Sequence, residues 1–221
     1  MSRHVAMALG AHPDDIEFMM AGTLLLLGRA GWELHTMNLA NGSCGTVELS
    51  REEIVRIRTT EAEQAAARLG AVFHQPLVDD IEVVYDVDLL RRVTAVVREV
   101  QPAILLVPSP QDYMEDHANT SRLAVSAAFV RGMRNFTSAP EVAATNQDIA
   151  VYHALPYGLR DGLGRRVRAE LYVDVSAVLE EKAAALALHK SQKEWLDKSQ
   201  GLDAYLTTMR EMTAAVTAAP T

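Results

Sequence analysis

Residues 4–12, HVAMALGAH, form an apolar run without polar alternation, the pattern of a central strand covered on both faces. GTLLLLGRAG at 22–31 follows as a helix stopped by Gly31, so the chain opens on a strand–helix unit. The same alternation recurs. WELHTMNLAN at 32–41 predicts a second strand, and Glu, Arg, Ala and Leu at helical spacing from Ser50 to Leu69 predict a helix that ends at Gly70. Ser50 followed by Glu53 reads as a capping box. AVFHQPL at 71–77 is a short third strand, VDLLRRVTAVVREV at 87–100 an amphipathic helix closed before Pro102, and AILLVPS at 103–109 an almost wholly apolar fourth strand.

The second half is less regular. After a loop holding DYMEDH, a helix is expected over 118–131, then two further strands at 148–158 and 169–176 with the turn LRDGLGRR between them. From Ser176, a natural cap, one long helix is expected to Lys198, and a last helix from Asp203 into an alanine-rich tail that frays over 213–221. Strands and helices in alternation favour an α/β fold with a mostly parallel sheet flanked by helices, whose ligands bind beyond the carboxyl ends of the strands. No repeat, linker or break in composition divides the chain, so residues 1–221 are read as a single domain.

Composition narrows the partners. With 49% hydrophobic and 23% charged residues over 221 positions the chain can bury a sizeable core. Its formal charge of −8, from 29 acidic against 21 basic residues without a Lys/Arg block, argues against nucleic acid. The lone Cys44 forms no internal disulfide, and the N-terminus lacks the pattern of a secretory signal, so the cytoplasm is the expected compartment. MMAGTLLLLGRAGW is too short an apolar run for a bilayer, which needs about 20 residues, and no membrane span is expected. Nothing here excludes a homo-oligomer.

LGAHPDDIE places His12, Asp14 and Asp15 at the carboxyl end of the first strand. Imidazole and carboxylate are the usual nitrogen and oxygen ligands of catalytic zinc, and His12 and Asp15 suit two of them. Pro13 stiffens the turn. Asp14, diverging from Asp15, suits a general base facing the attacking water, although either aspartate also suits a helix cap. His117, in the loop after the fourth strand, lies on the same rim and suits the third ligand, or alternatively a helix cap. Cys44 has no spaced histidine constellation beside it and is not read as a nucleophile. Trp32 and Trp195 are read as core or interface.

AHPDD, GTVE after the second strand, the DYxxDH loop and VDVSAVLEEKAAALALHKSQ together resemble the PIG-L/LmbE family, in order and over about Val5 to Gln192. The resemblance implies a Rossmann-like hydrolase with one Zn2+ that removes N-acetyl groups from small amino sugars or glycosides, or cleaves related amides. By position it makes His12, Asp15 and His117 the metal ligands, Asp14 the general base and Asp116 a carboxylate beside His117. Arg58 matches an arginine placed near substrate hydroxyls, or else forms a surface pair with Glu61. Glu17 is read as a substrate contact or as an acidic residue near the helix start. Relatives carry a histidine where this chain has Met114 on the substrate side, and a thioether cannot steady an oxyanion as an imidazolium does. Either the metal does so alone, or the role has moved, with His189 expected ahead of His153. Two other readings stay open: an amidase acting on a thiol conjugate or antibiotic-type intermediate, and a metal-dependent sugar-binding protein with weakened catalysis, which Met114 supports and Asp14 opposes.

Overall fold

The computed structural model describes residues 4–200 and 205–217. Its sheet has five strands, β1 (Val5–Gly10), β2 (Glu33–Asn38), β3 (Ala71–His74), β4 (Ile104–Val107) and β5 (Ala150–His153), in the order β3-β2-β1-β4-β5. Every pairing is parallel. The expected mostly parallel, Rossmann-like sheet is therefore parallel throughout. All six residues of β1 are buried because helices cover both faces. On one face Met7 and Leu9 join Val93 and Val97 of α4 (Val87–Val100) and Leu123 and Ala127 of α5 (Glu115–Val130). On the other, the smaller Ala6 and Ala8 admit Leu24 and Leu25 of α2 (Ala21–Arg29) and Ala185 of α6 (Leu179–Leu186).

The remaining helices are α1 (Asp15–Met19), α3 (Arg51–Leu69), α7 (Lys190–Gln200) and α8 (Tyr205–Thr217). The Ser50–Glu53 capping box starts α3 as expected, with Glu53 N–H donating to Ser50 Oγ and Ser50 N–H to Glu53 Oε2. Four expectations need correction. Residues 169–176 are not a strand: Leu171, Tyr172 and Val173 face outward, and Val175 seats its side chain against Gly22 of α2, so the apolar pattern there marks helix contact rather than pairing. The long helix from 176 to 198 is a 3-10 turn (Ser176–Val178), α6 and α7, and Ser176 is no side-chain cap but donates its N–H to Asp174 Oδ1. The helix after DYMEDH begins at Glu115 rather than 118. The start expected at Asp203 and the tail beyond 217 lie outside the described residues, while 213–217 are helical.

Arg98 of α4 is 3% exposed and has carbonyls for partners. Its guanidinium donates to Val130 O, Arg131 O, Met133 O, Phe136 O and Val142 O, tying down the end of α5 and the loop beyond it. Arg98→Met strands those buried acceptors and is expected to lower unfolding free energy by about 2–4 kcal/mol, read in urea titration. An unchanged midpoint would show that the loop finds other donors.

On β2 and β3, His35 Nδ1 and His74 Nε2 lie 2.8 Å apart with stacked rings, and Glu33 Oε1 is 2.9 Å from His35 Nε2. Burial, helped by the neighbouring His35, pushes the His74 imidazole down to about 4. A folded pKa below the unfolded value of about 6.5 means that the unfolded chain takes the proton first. Stability present above about 6.5 is thus lost as pH falls toward 4. The ring is partly exposed, so the loss is expected to be about 1–2 kcal/mol, and His74→Gln should flatten that part of a stability–pH profile.

Candidate metal centre and active site

The chain runs from β1 outward through β2 to β3, then returns to β4 on the other flank of β1, so β1 and β4 meet where the winding direction reverses. Such a switch point leaves a crevice at the carboxyl ends of the strands. His12, Asp14 and Asp15 follow β1, and Asp112 to His117 follow β4, on the two lips of that crevice.

His12, Asp15 and His117 each present a ligand atom, all within 4.8 Å of one another, the one such group of three among the described residues. His117 Nε2 is 3.3 Å from Asp15 Oδ2, and His12 Nδ1 is 3.8 Å from it. The far nitrogens are held by carboxylates: His12 Nε2 lies 2.9 Å from Asp116 Oδ2, and His117 Nδ1 2.9 Å from Asp112 Oδ2. Carboxylates behind imidazoles fix the ring orientation and tautomer as a metal ligand needs. The expectation for Asp116 is corrected here, because it backs His12 and also accepts Ile81 N–H, while Asp112 backs His117. Four residues separate Asp112 from His117, so the last turn of the loop and the first of α5 bring them together.

The donor set fits a divalent cation. His117 Nε2 is buried without a hydrogen-bond partner, pointing to the cluster. Asp15 is held rigidly, its Oδ2 accepting the N–H groups of Ala11 (3.0 Å) and His12 (2.7 Å). Burial pushes the Asp15 carboxyl up, but the nearby charges of His117 and His12 and the His12 N–H outweigh it and hold it well below the carboxylate range. Burial likewise pushes the His117 ring down, yet Asp15 and Asp112 raise it to about 10. That much negative charge around two imidazoles is an environment for a cation.

Asp14 turns the other way. Its backbone is left-handed, φ 104°, which aims its side chain away from Asp15. Tyr205 of α8 donates its hydroxyl to Asp14 Oδ2, and Arg58 Nη2 stands 3.9 Å from Oδ1. Burial pushes the carboxyl up, against the pull of Arg58, to about 6. A carboxylate near neutrality both takes and returns a proton.

Arg58 is buried, donates Nη2 to the Pro13 carbonyl at 2.6 Å and lines the crevice. It lies across Gly42 and Gly45: a Cβ on Gly42 would stand 2.5 Å from Arg58 Cδ, and one on Gly45 would collide with Nη1. Glu61 is not its surface partner but accepts Ser191 N–H (2.9 Å) and Ser191 Oγ–H (2.6 Å) at the start of α7. Glu17 is buried and pairs with His189 at 3.1 Å rather than facing the crevice. His189 itself is 1% exposed and absent from the crevice wall, and His153 is exposed at the end of β5 beside Ser121 and Pro108 O. Met114 does line the crevice, at the N-cap of α5.

The crevice encloses about 350 Å³. Its walls include residues that the sequence did not single out for the site: Asp80, Tyr157, Gln192, Trp195 and Tyr205. Asp80 ties the loop after β2, accepting Gly42 N–H (2.7 Å) and Cys44 N–H (2.9 Å). Trp195, expected in a core or interface, is on the cavity wall, and Trp32 packs at a tilt against the His4 ring. Among the described residues no helix is long and apolar enough to cross a membrane.

Residues 7–128 match the family described as PIG-L: GlcNAc-PI de-N-acetylase. The diacetylchitobiose deacetylase of Thermococcus kodakarensis is 28% identical over 188 residues, 82% of this chain and 67% of that one. A 4-oxalmesaconate hydratase of Pseudomonas putida is 25% identical over 196 residues, 85% of this chain and 74% of its own length. The solved N,N'-diacetylchitobiose deacetylase of Pyrococcus horikoshii shares the fold with a TM-score of 0.80 at 23% identity, covering 97% of this chain and 79% of that one.

Proposed function

The chain belongs to the PIG-L (GlcNAc-PI de-N-acetylase) family, and on that premise we propose that it is a zinc-dependent hydrolase removing an N-acetyl group from a small amino-sugar-like amide. The observation that carries this reading is one crevice holding both the His12–Asp15–His117 cluster and a buried carboxyl, Asp14, whose pKa is raised to about 6. Two imidazoles and one carboxylate suit zinc and leave a position open. Bound there, the ion supplies Lewis acidity for the amide carbonyl. Asp14 takes a proton from the attacking water and passes it to the departing nitrogen, giving acetate and a free amine. Arg58, on its glycine bed, orients substrate hydroxyls. Met114 gives neither charge nor proton, and among the described residues His12 and His117 are the only imidazoles on the crevice wall. The phenols of Tyr113 and Tyr157 also line it, and burial pushes both up, so they stand there as neutral donors. His189, set behind Asp14 and Glu17, is a positioning residue in this arrangement.

The test is to incubate the zinc-loaded protein with a panel of N-acetyl amino sugars, nucleotide sugars and N-acylated thiol conjugates and to assay released carboxylic acid. Release from sugars alone supports the reading, and release from thiol conjugates alone moves the substrate to that class. Binding of a panel sugar without any release would favour a sugar-binding protein. The similarity to a hydratase favours a second reading, in which the same site adds water to a conjugated double bond. Loss of absorbance from an unsaturated dicarboxylate, with no acid released from any amide, would establish it instead.

A further inference from the structure

One wall of the crevice takes no part in holding a metal or moving a proton. Gln192, Trp195 and Leu196 of α7 fall at positions i, i+3 and i+4, share a helix face and all line the cavity. Gln192 Oε1 and Trp195 Nε1 are buried and have no hydrogen-bond partner. Buried polar atoms are normally satisfied, and orphans carried by residues of a cavity wall suit a partner that arrives with a ligand. An N–H donor and a carbonyl acceptor on adjacent turns match a hydroxyl group, which accepts from one and donates to the other. The indole, Leu196, Phe18 and Met19 on the same cavity supply an apolar surface beside that polar pair. A ring with hydroxyls at its edge and C–H bonds on its face satisfies both demands. The wall is also held firmly, with Ser191 gripped by Glu61 and the preceding His189 by Glu17.

We propose that Gln192 and Trp195 form the subsite for the amine half of the substrate, a pyranose-like ring whose face lies on the indole and whose hydroxyl bridges Trp195 Nε1–H and Gln192 Oε1. This rests on the deacetylase reading, since an acetyl group carries no hydroxyl and the bridging one must belong to the amine side.

The probes are N-acetylglucosamine and N-cyclohexylacetamide, which offer the same amide on a six-membered ring with and without hydroxyls. Gln192→Leu and Trp195→Phe are each expected to raise KM for the sugar about 3–10-fold while kcat stays within about twofold, the size of a lost hydrogen bond to a neutral group. KM for the cyclohexyl amide should not move. Trp195→Leu, which also removes the stacking face, should raise KM for both. Binding is read separately in Trp32→Phe protein, where Trp195 is the sole indole, by a saturable change in its fluorescence on adding N-acetylglucosamine. Saturation that Gln192→Leu weakens, without acetate release from any amide, removes the hydrolytic reading and leaves the subsite standing. Acetate release with unchanged sugar KM in both polar variants, equal KM changes for both probes in those variants, or no saturable fluorescence change overturns the subsite.

Discussion

His117→Ala is expected to strip the protein of zinc and to abolish measurable turnover. His117 contributes the one buried nitrogen of the cluster that lacks a hydrogen-bond partner, and it alone carries the cluster to the β4 side of the crevice. Without it two donors remain, fewer than the three protein ligands of a catalytic zinc site. His12→Ala and Asp15→Ala are expected to act alike. Asp15→Ala also releases the N–H groups of Ala11 and His12, so its melting temperature should fall as well. Asp112→Asn and Asp116→Asn keep every ligand but weaken the hold on each ring, and should cost about 10–100-fold in metal affinity. The measurement is metal per chain by elemental analysis after dialysis against a weak chelator, beside activity. Wild-type zinc content in all three ligand variants would remove His12, Asp15 and His117 from the metal site.

The parallel half of the fold was legible because both faces of its strands are covered, and a strand buried on two sides writes itself as an unbroken apolar run such as 5–10. The C-terminal third obeys no such rule. Leu171, Tyr172 and Val173 have a strand's composition but no neighbouring strand, because β5 pairs only with β4 among the described residues. The helix expected over 176–198 breaks between Leu186 and Lys190 without a glycine or proline to announce it; the break is set by tertiary contacts of His189 with Glu17 and of Ser191 with Glu61. Propensity favours one helix there, and long-range hydrogen bonds divide it.

The site divides along the same line. Groups supplied by the turns after β1 and β4 sit in short motifs whose place at strand ends is fixed by the alternation of elements, so the His12–Asp15–His117 cluster could be anticipated. Which carboxylate backs which ring could not, since Asp112 lies in the loop and Asp116 in the first turn of α5, and their assignment depends on how that loop turns into the helix. Tyr205, Trp195 and Gln192 reach the crevice from helices with no strand to index them, across sequence separations that periodicity does not bridge.

Asp14→Asn is expected to retain zinc and to lower kcat by at least about 100-fold, with KM little changed, since general-base catalysis commonly contributes about 10²–10⁴. Asparagine is the informative replacement. Position 14 has φ 104°, and Asn tolerates positive φ better than most residues, so the turn that presents His12 and Asp15 is not rebuilt. The amide oxygen still accepts the Tyr205 hydroxyl, which keeps α8 docked on the crevice. What the amide cannot do is receive the proton of the attacking water. Alanine would confuse this result, because it loses the Tyr205 contact together with the base. Tyr205→Phe supplies the complementary control: it keeps the carboxylate and removes one donor from it, so a loss far smaller than that of Asp14→Asn is expected, with metal intact. Turnover like the parent's in zinc-replete Asp14→Asn would remove Asp14 from the chemistry and leave the proton to be carried by another group on the crevice wall.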